Sequence, residues 1–560
     1  MIFNWTRNRP LNALLILPCL GGMLLAAVAG RAPQVAEAKR PDIVVIQTDD
    51  MTSAMLHSTY INRRGKQALT MPRTGRLLAA RGVEFTNYYS SSPVCSPSRS
   101  ALLSGQYGHS SGLVRNLGRL GGASGIASSP VYGSNFVVAL EDAGYHTAHF
   151  GRFLNGYGSR NGISDRTVPP GWSAWASDWT PGPVRRFYGY KLNVNGRVKG
   201  PFGKAGYRAW RNKDSRRCPA LGLRCDYHTD QITTRAVRDI RGAPKGPIYI
   251  QVDYQAPHGA AGHGSGTEPA SRHIGSARRT PLPRPPGFNE PGIRDKPPRL
   301  RRGGRRLGAA DIQRLTRRWR HEIESLRSVD ESVGRIVRTL REEGRLSRAF
   351  IFFMSDNGAF FGEHRYGQSK FLAYEPSANV PLLVRGPGVK RNRKSGAIVA
   401  NVDLAPTIAD LAGVKLRLKP DGRTFRDTLR FPRKAGRRAV VLESYRLPSR
   451  ALYNHLESKG IMVPDDLGAE ASAAVPAVNY SGLRAGRYKY INYEGPGREL
   501  YDLRVDPFEQ VNRIHSPAYR QVVRFFDRQL ELRRFCSAGA CSRGTGKIPL
   551  PARRPHLRGF

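Results

Sequence analysis

The stretch Pro41-Asp42-Ile43-Val44-Val45-Ile46-Gln47-Thr48-Asp49-Asp50 decides the fold. Its four consecutive β-branched residues suit a strand buried on both faces of a parallel sheet, and it ends on two adjacent carboxylates. Two more stretches repeat the pattern. Gly246-Pro247-Ile248-Tyr249-Ile250-Gln251-Val252-Asp253 leads to Pro257-His258, and Ala349-Phe350-Ile351-Phe352-Phe353-Met354-Ser355 leads to Asp356-Asn357. Three strands thus bring acidic or imidazole groups to one edge, where open α/β sheets place their ligands. The expected fold class is α/β, with a large mixed, mostly parallel sheet flanked by helices.

Working outward, Ile312, Leu315, Trp319, Ile323, Leu326, Val333, Ile336 and Leu340 recur mostly three or four residues apart. This predicts a long amphipathic helix or a kinked pair, stopped by Gly344. Residues 259–308 are rich in Pro, Gly and Arg without apolar periodicity, which reads as a basic surface insertion. Beyond residue 430, pieces such as Arg438-Ala439-Val440-Val441-Leu442 and Tyr488-Lys489-Tyr490-Ile491-Asn492-Tyr493 predict a smaller antiparallel sheet. The expected organisation is a leader over 1–38, a catalytic domain over 39–430 and a C-terminal subdomain over 431–560. No repeat of fixed period is present.

The 560 residues suffice for a large core. Arg7 and Arg9, the apolar run from Leu11 to Val28 and Ala36-Glu37-Ala38 fit a secretory signal peptide, with a retained anchor or lipidation at Cys19 as weaker alternatives. The expected location is therefore secreted or extracytoplasmic, with no stable membrane span. Setting Cys19 and Cys95 aside leaves Cys218, Cys225, Cys536 and Cys541, an even number in an exported chain. Four cysteines allow three connectivities, of which short separations favour Cys218 with Cys225 and Cys536 with Cys541, and without C-x-x-C spacing a four-cysteine zinc site is the weaker reading. The formal net charge of +47 would draw polyanions. Export argues against nucleic acid and for sulfated polysaccharide, although an arginine bias spread over the whole chain explains the charge equally well.

Asp49, Asp50, Asp356 and Asn357 form an all-oxygen set suited to a hard divalent ion, Ca2+ first and Mg2+ second. Ser98 to Tyr107 reads as a helix start following the Pro97 turn, which would place Cys95 near exposed backbone N–H groups that favour anions, with Arg99 close by. His258 follows a strand, and Lys370 and His364 lie in the loop beyond Asn357; all three suit the cations and proton donor that an anionic reacting group requires.

Cys95-Ser96-Pro97-Ser98-Arg99, extended through Ser100-Ala101-Leu102-Leu103-Ser104-Gly105-Gln106-Tyr107, resembles the signature of the sulfatase family, within the alkaline phosphatase superfamily. The run from Ala143 through Gly151, Arg152 and Asn155 to Tyr157, with Pro169-Pro170-Gly171-Trp172, is similar to the N-acetylglucosamine-6-sulfatase and heparan sulfate 6-O-endosulfatase branch. Ser328-Val329-Asp330-Glu331-Ser332 and the stretch from Val380 to Pro387 fit that branch. The Arg498-Glu499-Leu500-Tyr501-Asp502 stretch is common near sulfatase C-termini.

The resemblance implies an alkaline phosphatase-like sheet and oxidation of Cys95 to formylglycine by a formylglycine-generating enzyme. It implies metal ligands at Asp49, Asp50, modified Cys95, Asp356 and Asn357, with Arg99, His258 and Lys370 around the sulfate. Two positions depart from the family pattern. Arg152 replaces a usual lysine, and Leu154 stands where many members carry histidine, the branch offering Asn155 instead; the base for sulfate elimination is then His149 or a water. The expected activity is metal-dependent hydrolysis of a sulfate ester on a sulfated sugar. Its rivals are phosphonate or phosphate ester hydrolysis and a catalytically silent polyanion binder.

Overall fold

Ten strands pair in the order Arg393–Ala400, Val83–Tyr89, Leu382–Arg385, Ala349–Ser355, Asp42–Asp49, Ile248–Pro257, His146–Gly151, Ala174–Asp178, Tyr190–Val194 and Arg197–Phe202. This computed structural model describes residues 40–158, 162–179, 187–202, 226–260, 266–367, 369–434, 438–463 and 475–552. The five strands from Ala349–Ser355 to Ala174–Asp178 are mutually parallel, and antiparallel pairings flank them on both sides. Asp42–Asp49 is an interior strand of the parallel block, between Ala349–Ser355 and Ile248–Pro257, and is buried throughout.

Alternation along that strand splits the core. Val44 and Ile46 join one apolar cluster with Ile232, Ile240, Ile323, Val333 and Leu340. Ile43 and Val45 join another with Leu102, Phe136, Leu140, Leu404 and Ile408. The first face is covered by helices His228–Gly242 and Ala309–Glu342, and the opposite face by Cys95–Ser104, Phe136–Asp142 and Leu404–Ala412. The result is the expected α/β architecture of helix, sheet and helix layers.

The predicted long helix is a single run of 34 residues rather than a kinked pair, ending at Gly344 with φ +65°. Residues 259–308 depart from a purely surface insertion. They hold only the short helix Pro298–Gly303 among the described residues, yet Ala270, Ala277 and Leu282 are buried in the first cluster. Leu300 is buried against the C-terminal sheet. Arg301, Arg302, Arg305 and Arg306 remain exposed.

The smaller sheet pairs Ala439–Tyr445, Asn479–Ala485, Tyr488–Tyr493 and Arg498–Asp502, all antiparallel, as expected. Helix Arg520–Glu531 packs on it through Val522, Phe525, Phe526 and Leu530. It is tied to the large sheet's layers by buried polar pairs. Arg438 Nη2 donates to Asp403 at 2.7 Å, Val441 N to Tyr107 Oη at 3.2 Å, and His109 Nδ1 meets Glu443 at 2.6 Å. The Cys536–Cys541 disulfide forms as expected, and Cys536 O accepts from the other nitrogen of His109 at 2.9 Å. The leader over 1–38 with Cys19, and the Cys218–Cys225 pair, lie outside the described residues. Among the described residues, no helix is long and apolar enough to cross a membrane.

Candidate active site

The site is built at the carboxyl edge of the parallel block. Asp49 ends its strand, and Asp50 follows with φ +68°, a left-handed conformation uncommon for aspartate. Asp50 is held there from the neighbouring strand: its N–H donates to Asp356 Oδ1 at 3.2 Å, and Asn357 Nδ2 donates to Asp50 Oδ1 at 2.6 Å. Cys95 opens helix Cys95–Ser104, all ten residues of which are buried. Ser98 Oγ donates to Asp356 O at 2.5 Å and Ser96 N to Asn116 Oδ1 at 3.0 Å, so the signature residues pin the helix start to the sheet edge.

Four groups converge. One ligand atom each from Asp49, Asp50, Cys95 and His258 lies within 4.8 Å of the others. Cys95 Sγ is 3.7 Å from Asp49 Oδ1, and His258 Nε2 is 3.3 Å from Asp50 Oδ2. Lys370 Nζ sits among them, 2.9 Å from Cys95 Sγ and 3.5 Å from Asn357 Oδ1, and contacts Asp50 Oδ1. Sγ here stands in for the oxygens that an oxidised, hydrated side chain would carry.

Arg99 is the electrostatic keystone. It is buried and reaches three carboxylates from three strands: Asp356 at 2.9 Å, Asp49 at 3.3 Å and Asp253 at 3.5 Å. It also donates to Arg152 O at 2.6 Å. Burial pushes the Asp356 carboxyl up, but Arg99, Lys370 and Arg152 outweigh it and hold the group below its ordinary range. Arg152 pairs with Asp49 and donates to Asn155 Oδ1 at 2.7 Å. Gly151 makes that approach feasible. With φ +111° it takes a conformation L side chains avoid, and a Cβ there would lie 2.0 Å from Asp253 O, the acceptor for Arg152 N.

Of the residues expected around the centre, His364 and His149 lie apart from this cluster. The His364 ring stacks on Tyr374 at 4.2 Å and its Nδ1 lies 3.5 Å from Glu290. His149 stands behind the site: it stacks on Trp175 at 4.5 Å and places Nε2 3.1 Å from Asp253 Oδ2. Asp253 is the residue the sequence reading missed. It accepts from Gln251 at 2.8 Å and Gln47 at 3.3 Å and faces Arg99. A buried acid inside an apolar strand, which demands a buried partner, was the signal.

The donor set fits a hard divalent cation. The buried carboxylate of Asp50 and Asn357 Oδ1 meet the Lys370 ammonium, a positive group standing where the oxygens call for one, with the buried Asp49 carboxylate in the same cluster. The Asp356 oxygens border this set, engaged by Arg99 and by the N–H groups of Asp50 and Asn357. The imidazole of His258 joins the cluster, which the sequence reading had placed with the substrate contacts.

Residues 41–414 match the family model described as Sulfatase, so the chain belongs to the sulfatase family of sulfate ester hydrolases. It is 28% identical over 539 residues to the N-acetylglucosamine-6-sulfatase of Homo sapiens, covering 94% of this chain and 89% of the relative. It is 29% identical over 410 residues to the putative extracellular sulfatase Sulf-1 homolog of Caenorhabditis elegans, covering 72% of this chain but about half, 51%, of that longer protein. In fold it resembles the structure of BT4656 in complex with its substrate D-glucosamine-2-N,6-O-disulfate, with a TM-score of 0.67 and 22% identity, covering 88% of this chain and 97% of the other.

Proposed function

We propose that the protein is an exported sulfatase that removes the 6-O-sulfate of glucosamine units in a sulfated sugar, with Cys95 carried as formylglycine and Ca2+, or Mg2+, at the carboxylate set. The observation that carries this reading is the convergence of Cys95 with Asp49, Asp50, His258 and Lys370 at one buried sheet edge. The relatives' names supply the sugar.

A cation held by Asp49, Asp50, Asp356 and Asn357 would neutralise and polarise the sulfate oxygens. A hydrated aldehyde at position 95 would supply two hydroxyls on one carbon, one to attack sulfur and one to expel sulfate, which no ordinary side chain offers. The chain's own residues do the rest. Lys370 donates toward the position 95 side chain and places positive charge beside the reacting group. His258, with Nδ1 2.6 Å from Gly259 O, keeps Nε2 facing the site, where a proton there can pass to the departing alcohol. Arg99 and Arg152 balance the buried carboxylates and fix Asp49.

Binding of His149 to Asp253 supports a structural role for that ring and leaves proton removal in the elimination step to water or to His258. The test is a panel of sulfate and phosphate monoesters, including glucosamine 6-O-sulfate, run with mass spectrometry of the Cys95 peptide. Preference for the 6-O-sulfated sugar by protein carrying the aldehyde is expected. Activity on phosphate esters alone, or full activity of Cys95→Ala, refutes the reading.

A further inference from the structure

The opposite edge of the large sheet holds a second charged feature. Arg385 pairs in register with Ile351, near the start of the strand whose far end delivers Asp356. Beside it opens a cavity of about 650 Å3 whose lining contains seven arginines and no carboxylate. Arg73 and Arg76 come from helix Pro72–Leu77 and Arg81 from the turn Ala79–Arg81. Arg338 and Arg341 project from one face of the 34-residue helix, and Arg385 and Arg391 bracket the loop after strand Leu382–Arg385.

Two of the seven are engaged: Arg73 pairs with Asp330 at 3.4 Å, and Arg385 donates to Leu77 O at 2.9 Å. Among the described residues, Arg76, Arg81, Arg338, Arg341 and Arg391 form no ion pair. Gly334, on the same helix face as Arg338 and Arg341, lets Arg73 cross the helix; a Cβ there would lie 2.9 Å from Arg73 Cδ. Burial, then repulsion from Arg341, Arg81 and Arg391, lowers the pKa of Arg385 below the ordinary guanidinium value. Like charges collected in a concavity focus a positive field and are relieved by a polyanion. A single sulfate or phosphate would satisfy one or two planar guanidinium forks, and the cavity presents several.

We propose that this cavity is an exosite that binds a segment of sulfated oligosaccharide, several sulfates at once, away from the catalytic edge. Its ligand class rests on the reading of the protein as a sulfatase of sulfated sugars. Holding a polymer here raises the local concentration of sulfated units around the enzyme without any new contact at Cys95.

The experiment measures binding of a heparin-type sulfated hexasaccharide, and separately of inorganic tripolyphosphate, to the folded full chain and to Arg338→Ala/Arg341→Ala, across a range of salt. Two charge-assisted contacts at roughly tenfold each predict hexasaccharide affinity about 100-fold weaker in the double variant. Its salt dependence should also become shallower, since fewer counterions are released. Arg341→Glu should weaken binding further. Thermal melting checks that the variants, changed only at exposed side chains, remain folded. Hexasaccharide affinity unchanged in folded variants overturns the proposal, as does loss of tripolyphosphate binding with hexasaccharide binding intact. Turnover of monomeric glucosamine 6-O-sulfate is followed in parallel. Its absence in wild-type protein counts against the proposed function, whereas the binding arm decides the exosite.

Discussion

Replacing Arg99 with alanine tests whether one guanidinium holds the site's negative charges together. Its contacts with Asp356, Asp49 and Asp253 lie between 2.9 and 3.5 Å. At an effective dielectric of roughly 20, each such contact is worth about 5 kcal/mol of gross attraction. Dehydration of the four groups offsets most of that sum, and breaking a buried pair by removing one partner costs about 3–5 kcal/mol. Arg99→Ala should therefore lose about 3–5 kcal/mol of stability, read from denaturant midpoints in metal-free buffer. The mechanism makes a sharper claim through Asp253→Asn, which keeps shape and removes one of the carboxylates left uncompensated. Because the two side chains interact directly, the double variant should lose less than the sum of the single losses, by about 1 kcal/mol or more. Additive losses, or an Arg99→Ala protein within about 0.5 kcal/mol of wild type, a typical surface-substitution effect, would refute the charge-compensation argument.

Cys95→Ser can accept sulfate but lacks a second hydroxyl to release it, so intact-protein mass spectrometry after substrate exposure should show a trapped sulfate adduct. Chelation should remove activity and Ca2+ or Mg2+ restore it, while elemental analysis finding stoichiometric zinc alone would contradict the oxygen-ligand assignment. Reducing Cys536–Cys541 should cost about 2 kcal/mol on loop-closure grounds for so short a loop, measured by comparing Cys536→Ser/Cys541→Ser with wild type in denaturant. Glu331 offers a pH test: burial alone would raise its pKa, but contacts with His273 and with Arg272 at 2.8 Å bring it down to about 2. A folded value below the unfolded one contributes stability above pH of about 4.5 and loses it as pH falls through about 2, so Glu331→Gln should be less stable than wild type at pH 6 and similar at the acid end.

The strand ends were legible because short β-branched and aromatic runs that lead to Asp49-Asp50, His258 and Asp356-Asn357 leave few arrangements other than a parallel sheet with a polar edge. Asp253 escaped notice because its strand runs on to Pro257, which puts that carboxylate inside the strand rather than beyond it. An acid inside a buried strand signals that a partner is needed, and the structure identifies that partner as Arg99. Residues 259–308 misled for a related reason: Ala270, Ala277 and Leu282 anchor the segment without any period that a sequence scan registers. The hairpin of Tyr190–Val194 and Arg197–Phe202 carried a readable signal that went unused. Asn195-Gly196 supplies the two positive-φ residues, at +49° and +82°, that tight two-residue turns demand.

The complete burial of helix Cys95–Ser104 imposes a timetable on biosynthesis. Cys95 has no exposed surface, and its helix is clamped between Asp356, Asn116 and Asn401. A second macromolecule cannot grip this segment once the strands have assembled. If Cys95 is converted as proposed, oxidation of the thiol by another enzyme would have to act on the nascent or unfolded chain. On that reading, molecules that fold first would be committed to an unconverted thiol, and the specific activity of a preparation would record a race between modification and folding at the time of synthesis.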